Sequence, residues 1–328
     1  MATKLYPLKF KPILVDKIWG GHKLNTLLNK PMGKLPNIGE SWELSGVEGQ
    51  VSLVENGFLR GNDLNELIEV YMGDLVGEHI YTKFGNEFPL LVKFIDAREA
   101  LSIQVHPGDE LAASRHNSFG KTEMWYVMQA DKGSYLISGF KEEVSPEVYV
   151  KAVQAKTLES LLAKHPVKPG DVFFMPSGRV HAIGAGIVLA EIQQTSDVTY
   201  RIYDFDRRDH QGNARELHTE LAMDAIDFKI PESYKTNYTI KHNQVNPVIQ
   251  SPYFVTGLIE TAQPLERDYY TLDSFVIYVC VEGQAQIEYG EGLSEWIQQG
   301  ETALIPAELR QVIIKPSEKV RLLEVYLP

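Results

Sequence analysis

The sequence has one cysteine, Cys280, among 328 residues. No intrachain disulfide can form, and so little cysteine is typical of a protein in a reducing compartment. The sequence also has fewer basic than acidic residues, 32 Lys and Arg against 44 Asp and Glu. Its formal net charge of −12 argues against nucleic acid or an anionic membrane as a main partner, because both require a basic surface. An anionic small molecule would need a local basic pocket.

Long apolar stretches are missing as well. Residues 1–21, MATKLYPLKFKPILVDKIWGG, contain no uninterrupted apolar run like that of a signal peptide, and no segment approaches the length of a membrane span. We therefore expect a cytoplasmic protein without a membrane partner. The composition does not predict an oligomeric state.

Most of the chain consists of short apolar runs separated by glycine, proline, asparagine and aspartate, which predicts a mainly β fold of the sandwich or barrel type. Three segments space their apolar residues as helices do: residues 62–80, 145–165 and 213–228. Asn62 or Asp63 is the expected N-cap of the first. A polar stretch over residues 229–247 is the best candidate boundary, so we predict domains over residues 1–240 and 241–328.

An internal repeat supports this division. Gly170 is followed by five residues and Pro176, and Gly300 is followed by five residues and Pro306. Upstream of each lies a similar strand–turn–strand pair, WYVMQADKGSYLI (125–137) and IYVCVEGQAQIEY (277–289). Two matching elements in the same order indicate a duplicated domain.

Polar residues alternate with aliphatic ones in LSIQVHPGDE, residues 101–110. A strand here would place Ser102, Gln104 and His106 on one face. Lys121 and Glu123 share a face of the next strand in the same way. The question is whether the Ser/Gln/His face meets solvent or a cavity.

The stretch GDVFFMPSGRVH matches the second signature of the cupin fold, Gly-x5-Pro-x-Gly-x-x-His, and ends in His181. Gln104, His106 and Glu123 resemble a variant of the first cupin signature in which glutamine replaces the first histidine. The resemblance implies two cupin-type (jelly-roll) barrels with a few helices, the second barrel having lost its metal ligands. Two imidazoles, a carboxylate and an amide oxygen form a mixed site that suits zinc and could also hold Mn²⁺ or Fe²⁺. On this reading, the polar face points into the barrel.

A second functional stretch is AEIQQTSDVTYRIYDFDRRD, residues 190–209. If it forms one unbroken strand, Glu191, Asp197 and Arg201 point to the same face. Buried charges of this kind are costly unless they are paired or used. A structural ion pair inside the barrel is the alternative interpretation.

Together, GESWELS, PLLVKFIDA, LSIQVHP, KTEMWYV, PSGRVHAIG and EIQQTSDVTYRIYDFDR resemble the type I mannose-6-phosphate isomerases, in their short bacterial form. The resemblance implies one Zn²⁺ per chain held by Gln104, His106, Glu123 and His181. It also implies an active-site arginine and further active-site residues: Arg201, Glu191, Lys121, Asp197 and Lys93. Arg207 stands where longer members have a lysine. Candidates for binding the sugar or its phosphate are Ser102, Lys93, Arg207 and Trp19.

The implied reaction interconverts mannose 6-phosphate and fructose 6-phosphate through an enediol(ate). It needs a base that moves a proton between C1 and C2. Glu191 is the first choice for this base, and a zinc-bound water is the alternative. Two other functions remain open: a sugar-binding cupin without catalysis, and a metal-dependent cupin oxygenase.

Overall fold

The computed structural model describes residues 5–208 and 211–328. Within those ranges the chain forms six α-helices, and none of them is long and apolar enough to cross a bilayer. They are α1 (Lys23–Leu28), α2 (Leu64–Val76), α3 (Glu78–Phe84), α4 (Asp109–His116), α5 (Pro146–Gln154) and α6 (Thr219–Ala225).

The described residues also form twenty strands, which dominate the fold as predicted. They are β1 (Leu8–Lys9), β2 (Ile13–Val15), β3 (Glu40–Leu44), β4 (Leu90–Ala97), β5 (Ile103–Val105), β6 (Glu123–Ala130), β7 (Tyr135–Phe140), β8 (Leu162–Pro166), β9 (Val172–Met175), β10 (His181–Ile183), β11 (Ile187–Gln194), β12 (Tyr200–Tyr203), β13 (Lys235–Thr236), β14 (Val245–Gln250), β15 (Val255–Thr261), β16 (Leu265–Asp268), β17 (Val276–Tyr289), β18 (Leu293–Gln298), β19 (Thr302–Ile305) and β20 (Gln311–Tyr326).

These strands make three sheets. A seven-stranded sheet has the spatial order β13-β9-β6-β11-β4-β3-β2, and a five-stranded sheet has the order β12-β5-β10-β7-β8. The third sheet has eight strands: β1-β19-β17-β20-β15-β14, with β16 on β20 and β18 on β17. Because β1 pairs with β19, the start of the described chain joins the C-terminal sheet.

The seven-stranded and five-stranded sheets face each other across a shared apolar core. Ile95, Trp125 and Leu189 of the first sheet pack with Leu136 and Ile183 of the second, and all five are at least 97% buried. Interdigitated side chains of this kind hold two packed sheets at a fixed separation.

The outer face of the five-stranded sheet is covered by helices. Ile103 and Val105 of β5 pack there in one cluster with Tyr149 of α5 and Ala222 of α6. Because successive side chains of a strand alternate between faces, Gln104 points the other way, into the space between the two sheets.

The outer face of the seven-stranded sheet packs on the C-terminal sheet. Val92 of β4 and Ala190 of β11 share a cluster with Ile277 of β17 and Leu323 of β20. Both faces of β4 and β11 are therefore covered, and every residue of these two strands is buried. This explains why β4 has only two polar residues and why the first half of β11 is apolar.

The first predicted helical segment, residues 62–80, is two helices. Asp63 caps α2, since its side chain accepts from the backbone N–H of Glu66 and the Glu66 side chain accepts from that of Asp63. Gly77 then separates α2 from α3 with a φ of 100°, a conformation that favours glycine.

The other two helices are shorter than predicted. In the segment 145–165 only Pro146–Gln154 is α-helical, and the prediction of helix over its last residues is wrong because Leu162–Pro166 pairs with β7 as β8. A short apolar run fits both periods, so the pattern could not separate them. In the segment 213–228 the helix covers Thr219–Ala225.

One unbroken strand through residues 190–209, which is the condition for the parity argument, does not form. β11 ends at Gln194 in the seven-stranded sheet, and β12 starts at Tyr200 in the five-stranded sheet. Strand parity therefore cannot relate Glu191 to Arg201. The strand pairing of each residue relates them instead. Glu191 lies opposite Trp125, and Arg201 lies opposite Gln104. Directly paired residues point to the same face of a sheet. Both side chains therefore belong to the space between the sheets.

Removing an apolar side chain from the contact between the seven-stranded and C-terminal sheets should weaken the fold strongly. We expect Leu323→Ala to lower the free energy of unfolding by about 2–5 kcal/mol, because a fully buried leucine leaves a cavity. The matched control is Val70→Ala, whose side chain is 69% exposed and should change stability by less than about 0.5 kcal/mol. Urea unfolding of the two variants measures both values, and equal midpoints would contradict the packing described.

Candidate metal centre and active site

Two histidines point a free ring nitrogen at the same place between the sheets. His106 follows β5, and its Nδ1 lies 3.0 Å from the carbonyl oxygen of Val198. His181 begins β10, and its Nδ1 lies 2.8 Å from the carbonyl oxygen of Arg179. A carbonyl only accepts, so each Nδ1 carries the proton and each Nε2 keeps its lone pair. This arrangement is typical of metal-binding histidines.

Glu123 reaches the same point from the facing sheet, where it begins β6. Its two carboxylate oxygens lie 3.5 Å from His106 Nε2 and 3.3 Å from His181 Nε2. All three side chains are 99% buried. His106 Nε2 and both Glu123 oxygens have no hydrogen-bond partner among the residues that the structure describes. Buried polar atoms without partners are costly, so this cluster requires a ligand.

Gln104 is the fourth member of the predicted ligand set. It pairs directly with His181 across the β5–β10 ladder, and its amide Nε2 lies 3.3 Å from His181 Nε2. A half-turn of the amide exchanges its nitrogen for its oxygen, the atom that a cation would bind. The structure therefore brings all four predicted ligands together.

The spacing of these atoms fits a metal ion. Bonds of about 2.0–2.2 Å at tetrahedral angles would separate neighbouring ligand atoms by about 3.3–3.6 Å. The distances from Glu123 and Gln104 to the histidine nitrogens are 3.3–3.5 Å. A set of imidazole nitrogens and carboxylate and amide oxygens is appropriate for zinc, and also for manganese or iron.

Electrostatics favours a cation at the same point. Burial lowers the pKa of His181 to about 3 and that of His106 well below its usual value, so both rings are neutral. Burial, and then the charge of Glu191, raise the pKa of Glu123 to about 8. A divalent ion bound here would stabilise the ionised carboxylate and would use the neutral imidazoles as ligands.

A second group of buried residues lies beside this cluster. In the register of the seven-stranded sheet, Glu191 of β11 is flanked by Lys93 of β4 and Trp125 of β6. Lys93 Nζ lies 3.4 Å from Glu191 Oε1, and Trp125 Nε1 donates to Glu191 Oε2 at 2.8 Å. The carboxylate is therefore fixed in orientation from both sides.

The two lysines of the site differ in environment. Burial pulls the pKa of Lys93 down, but Glu40 and Glu191 more than offset this and raise it. Burial, and then the charge of Lys93, lower the pKa of Lys121, whose Nζ lies 3.7 Å from Glu123. Lys93 also lies over the ring of Trp42, 4.9 Å from its centroid.

Glu40 is a site residue that the sequence analysis missed. It lies in β3, where it accepts a hydrogen bond of 2.7 Å from Trp42 Nε1 and pairs with Lys17 at 3.3 Å. Burial opposes ionisation of Glu40, but Lys93 and Lys17 lower its pKa below the usual value. The alternation of Glu40 and Trp42 in GESWELS, which puts both on one strand face, was the available signal.

Formal charges in this pocket cancel when Arg201, which faces it from the five-stranded sheet, is counted. Three cations stand against three carboxylates: Lys93, Lys121, Arg201, Glu40, Glu123 and Glu191. A divalent cation would make the pocket positive by two charges. The pocket would then attract an anionic substrate to a protein that is negative as a whole.

Arg201 approaches from the five-stranded sheet, where it pairs with Gln104. Its Nη1 donates to the carbonyl of Glu216 at 2.9 Å, but its buried Nε has no partner among the described residues. Burial, and then the charge of Arg215, lower its pKa. Among the described residues, no carboxylate lies within hydrogen-bond distance of the Arg201 guanidinium.

The remaining predicted residues are placed differently. Asp197 is exposed and lines a separate surface cavity with Ser118. Arg207 is engaged by Asp204 and by the carbonyl of Ala100.

Two more of the predicted site residues, Trp19 and Ser102, are buried. Trp19 belongs to the apolar core between the sheets and is 3% exposed. Ser102 is equally buried but precedes β5, so the alternation of that strand does not fix its direction. The structure leaves Asp197 outside the pocket.

Two facing sheets with a buried cluster of nitrogen and oxygen ligands between them define a protein of the cupin fold whose site could hold a metal ion. A family model for the catalytic domain of type I phosphomannose isomerases matches residues 8–144. The mannose-6-phosphate isomerase ManA of Bacillus subtilis is 35% identical over 312 residues, which are 92% of this chain and 93% of that protein. The mannose-6-phosphate isomerase of Streptococcus mutans is 35% identical over 319 residues, 93% of each chain. The chain belongs to the type I phosphomannose isomerase family and is an isomerase.

Two solved structures superpose on nearly the whole of this chain. The crystal structure of mannose 6-phosphate isomerase from Bacillus subtilis superposes with a TM-score of 0.87 at 30% identity and covers 98% of this chain and 99% of its own. The apo form of the enzyme from Salmonella typhimurium superposes with a TM-score of 0.77 at 18% identity, covering 98% and 99%. This second likeness shows the fold alone.

Loss of one imidazole should remove the metal. We expect His106→Ala and His181→Ala each to weaken zinc binding by more than about 100-fold, since direct ligands matter more than the outer contacts that cost 10–100-fold. Equilibrium dialysis against Zn²⁺ followed by elemental analysis measures this without relying on activity.

His22→Ala is the matched control, because His22 is exposed and its side chain does not cap α1. It should bind one zinc ion per chain, as the unaltered protein should. If His181→Ala kept full zinc affinity, this cluster would not be the metal site.

Proposed function

We propose that this chain is a zinc-dependent aldose–ketose isomerase that interconverts mannose 6-phosphate and fructose 6-phosphate. Membership of the family supports the reaction. The observation that carries the metal dependence is the buried cluster of His106, Glu123 and His181, which requires a ligand. Gln104 completes the proposed ligand set, with one Zn²⁺ per chain.

Glu191 is the proposed general base. The electron pair of the C2–H bond of the open-chain aldose becomes the C1=C2 bond of the enediolate as Glu191 takes the proton, and negative charge moves to O1. Return of this proton from Glu191 to C1, with transfer of the O2 proton to O1, gives the ketose and restores the ionised carboxylate. Trp125 and Lys93 support the assignment, because they hold both oxygens of Glu191 in place.

Positive groups around this carboxylate would stabilise the enediolate. Bound zinc would supply a Lewis acid that polarises sugar oxygens. Lys121 and Arg201 are the proposed protein donors, since one lies beside Glu123 and the other lies opposite Gln104. Such donors act in a buried site where charge interactions are strong.

Phosphate binding has three proposed contributors: Ser102, Lys93 and Arg201. Arg201 is favoured because its Nε has no protein partner among the described residues, whereas Arg207 is engaged by Asp204. Arg207 and Trp19 are therefore proposed to shape the pocket rather than to contact the phosphate. Asp197 would act on the substrate only if its exposed loop moved.

The domain division and the location remain proposals. Residues 1–240 would form the catalytic cupin, and residues 241–328 a second cupin without metal ligands that covers the outer face of the seven-stranded sheet. A single cysteine, buried at position 280, supports a cytoplasmic protein.

Replacing the proposed base should stop proton transfer but not binding. We expect Glu191→Gln to lower kcat by about 10²–10⁴-fold, the usual contribution of a general base. The zinc content should stay at one per chain. Exchange of the substrate C2 proton with deuterated solvent, followed by NMR, measures the step itself.

Glu69→Gln is the control, since Glu69 is exposed on α2 and should leave kcat unchanged. Exchange at the unaltered rate in Glu191→Gln would show that another group is the base.

Arg201→Ala should separate two roles of the arginine. If it mainly stabilises charge that develops during the reaction, kcat should fall by about 10²–10³-fold with a smaller change in KM. If it only holds the phosphate, KM should carry the loss. Arg98→Ala, at a half-exposed site paired with Glu99, is the control in the same coupled assay. Unchanged kcat and KM in Arg201→Ala would place the substrate elsewhere.

A further inference from the structure

A second polar cavity lies in the C-terminal sheet. It measures about 280 Å³, and its lining includes Gly257, Arg267, Tyr269, Thr271, Glu324 and Tyr326. Arg267 Nε and Nη2 donate to the two oxygens of Glu324 at 2.8 and 3.1 Å, and the Tyr269 hydroxyl donates to the same carboxylate at 2.5 Å. Glu324 is 99% buried. Neither the metal site nor the isomerase pocket uses these residues.

The surrounding strands repeat those of the catalytic barrel. The path β9-β6-β11-β4 in the seven-stranded sheet has the same order as β19-β17-β20-β15 in the C-terminal sheet. β9 leads into Pro176 and β19 into Pro306, the prolines of the Gly-x5-Pro repeat. The two four-stranded units can therefore be compared position by position.

The comparison places Glu324 where the catalytic barrel has Glu191. Glu191 is flanked by Lys93 and Trp125, and Glu324 is flanked by Gly257 and Tyr278. Trp125 and Tyr278 both pack inside their own barrels. In each case the carboxylate accepts from an aromatic side chain and pairs with a cation, Lys93 in one barrel and Arg267 in the other.

The differences determine what the second cavity can hold. The same alignment puts Val276 at the position of Glu123, and the Gly-x5-Pro spacing puts Gln311 at that of His181. Metal ligands are therefore missing. Gly257 replaces Lys93, so β15 contributes no side chain next to Glu324. The side chain of Val245 from β14 packs against Gly257, where a Cβ would clash with Val245 Cγ1.

From this arrangement, the geometry points to a second, non-catalytic binding site for a neutral polyhydroxylated ligand the size of one sugar ring. The Arg267 guanidinium has five N–H donors, and Glu324 accepts from two of them. The Glu324 carboxylate beside it can accept further hydrogen bonds. Hydroxyl groups both donate and accept, so they match such a pair. The rings of Tyr269 and Tyr326 supply apolar faces.

Charge and size define the ligand further. With Glu324 and Asp268 against Arg267, the lining is net negative and disfavours phosphate or carboxylate groups. A volume of 280 Å³ lies at the lower limit of small-molecule sites, about 300–1,000 Å³, and excludes an oligosaccharide.

Methyl α-D-mannopyranoside and methyl α-D-glucopyranoside are suitable probes, because a neutral glycoside cannot open to an aldehyde and cannot be isomerised. Saturation-transfer NMR on the full chain should detect binding of at least one, with a dissociation constant in the millimolar range. Thr271→Trp, at an exposed position of the lining, should abolish the signal. Arg267→Lys, which keeps the charge but loses the paired geometry, should weaken binding by about tenfold.

Tyr270→Trp is the matched control, since Tyr270 is 69% exposed next to Thr271 but lies outside the lining. It should bind as the unaltered protein does, and isomerase activity should be the same in Tyr270→Trp and Thr271→Trp. The proposal would be overturned by the absence of binding of both glycosides, by binding that survives in Thr271→Trp, or by displacement of the glycoside by inorganic phosphate. Each result leaves the isomerase assignment untouched, because that activity is measured separately.

Discussion

The candidate site depends on how far apart the two facing sheets lie. His181 and Gln104 come from one sheet and Glu123 from the other. The carboxylate oxygens of Glu123 and the amide of Gln104 lie 3.3–3.5 Å from the Nε2 atoms of His181 or His106. A side chain as short as glutamate spans that gap only if the sheets keep their spacing. The apolar core around Trp125 and Ile183 maintains the spacing, and the helices on one side and the C-terminal sheet on the other hold each sheet in place. The apolar core between the sheets thus determines the geometry of the candidate metal site.

The buried charges are costly to maintain, which favours a functional reason for them. Lys93, Lys121, Glu123 and Glu191 are each at least 94% buried. Apolar residues of similar volume often stabilise a fold as well as a buried ion pair does, or better. The raised pKa of Glu123 and the lowered pKa of Lys121 indicate charges held in unfavourable surroundings. Such shifts are typical of sites where chemistry requires the charges.

Parts of the site could be predicted from the sequence because they depend on local patterns. The alternation in SIQVH put Gln104 and His106 on one face, and the Pro-x-Gly turn positioned His181; the structure brings these residues together. The mainly β fold followed from the same short-range signals. Those short-range signals could not predict tertiary contacts. The crossing between Gln194 and Tyr200 changes sheets without a distinctive sequence signal, and the engagement of Arg207 by Asp204 requires knowing how that loop folds. The prediction of helix over residues 162–165 was wrong for a different reason, since a few apolar residues fit helix and strand equally well.

The four-stranded unit of the catalytic barrel and that of the C-terminal sheet share some buried features and differ in others. Both keep an aromatic side chain and a cation against a buried glutamate, around Glu191 and around Glu324. Only one keeps two histidines and a second carboxylate nearby. A buried glutamate with a cation partner is therefore compatible with either barrel and does not by itself define an isomerase. What distinguishes the catalytic unit is the cluster of His106, Glu123 and His181, which could hold a metal ion. In the C-terminal unit Gly257 stands where the catalytic barrel has Lys93, and Val245 packs against it, so the cation that pairs with the buried glutamate is Arg267 from the neighbouring β16 instead.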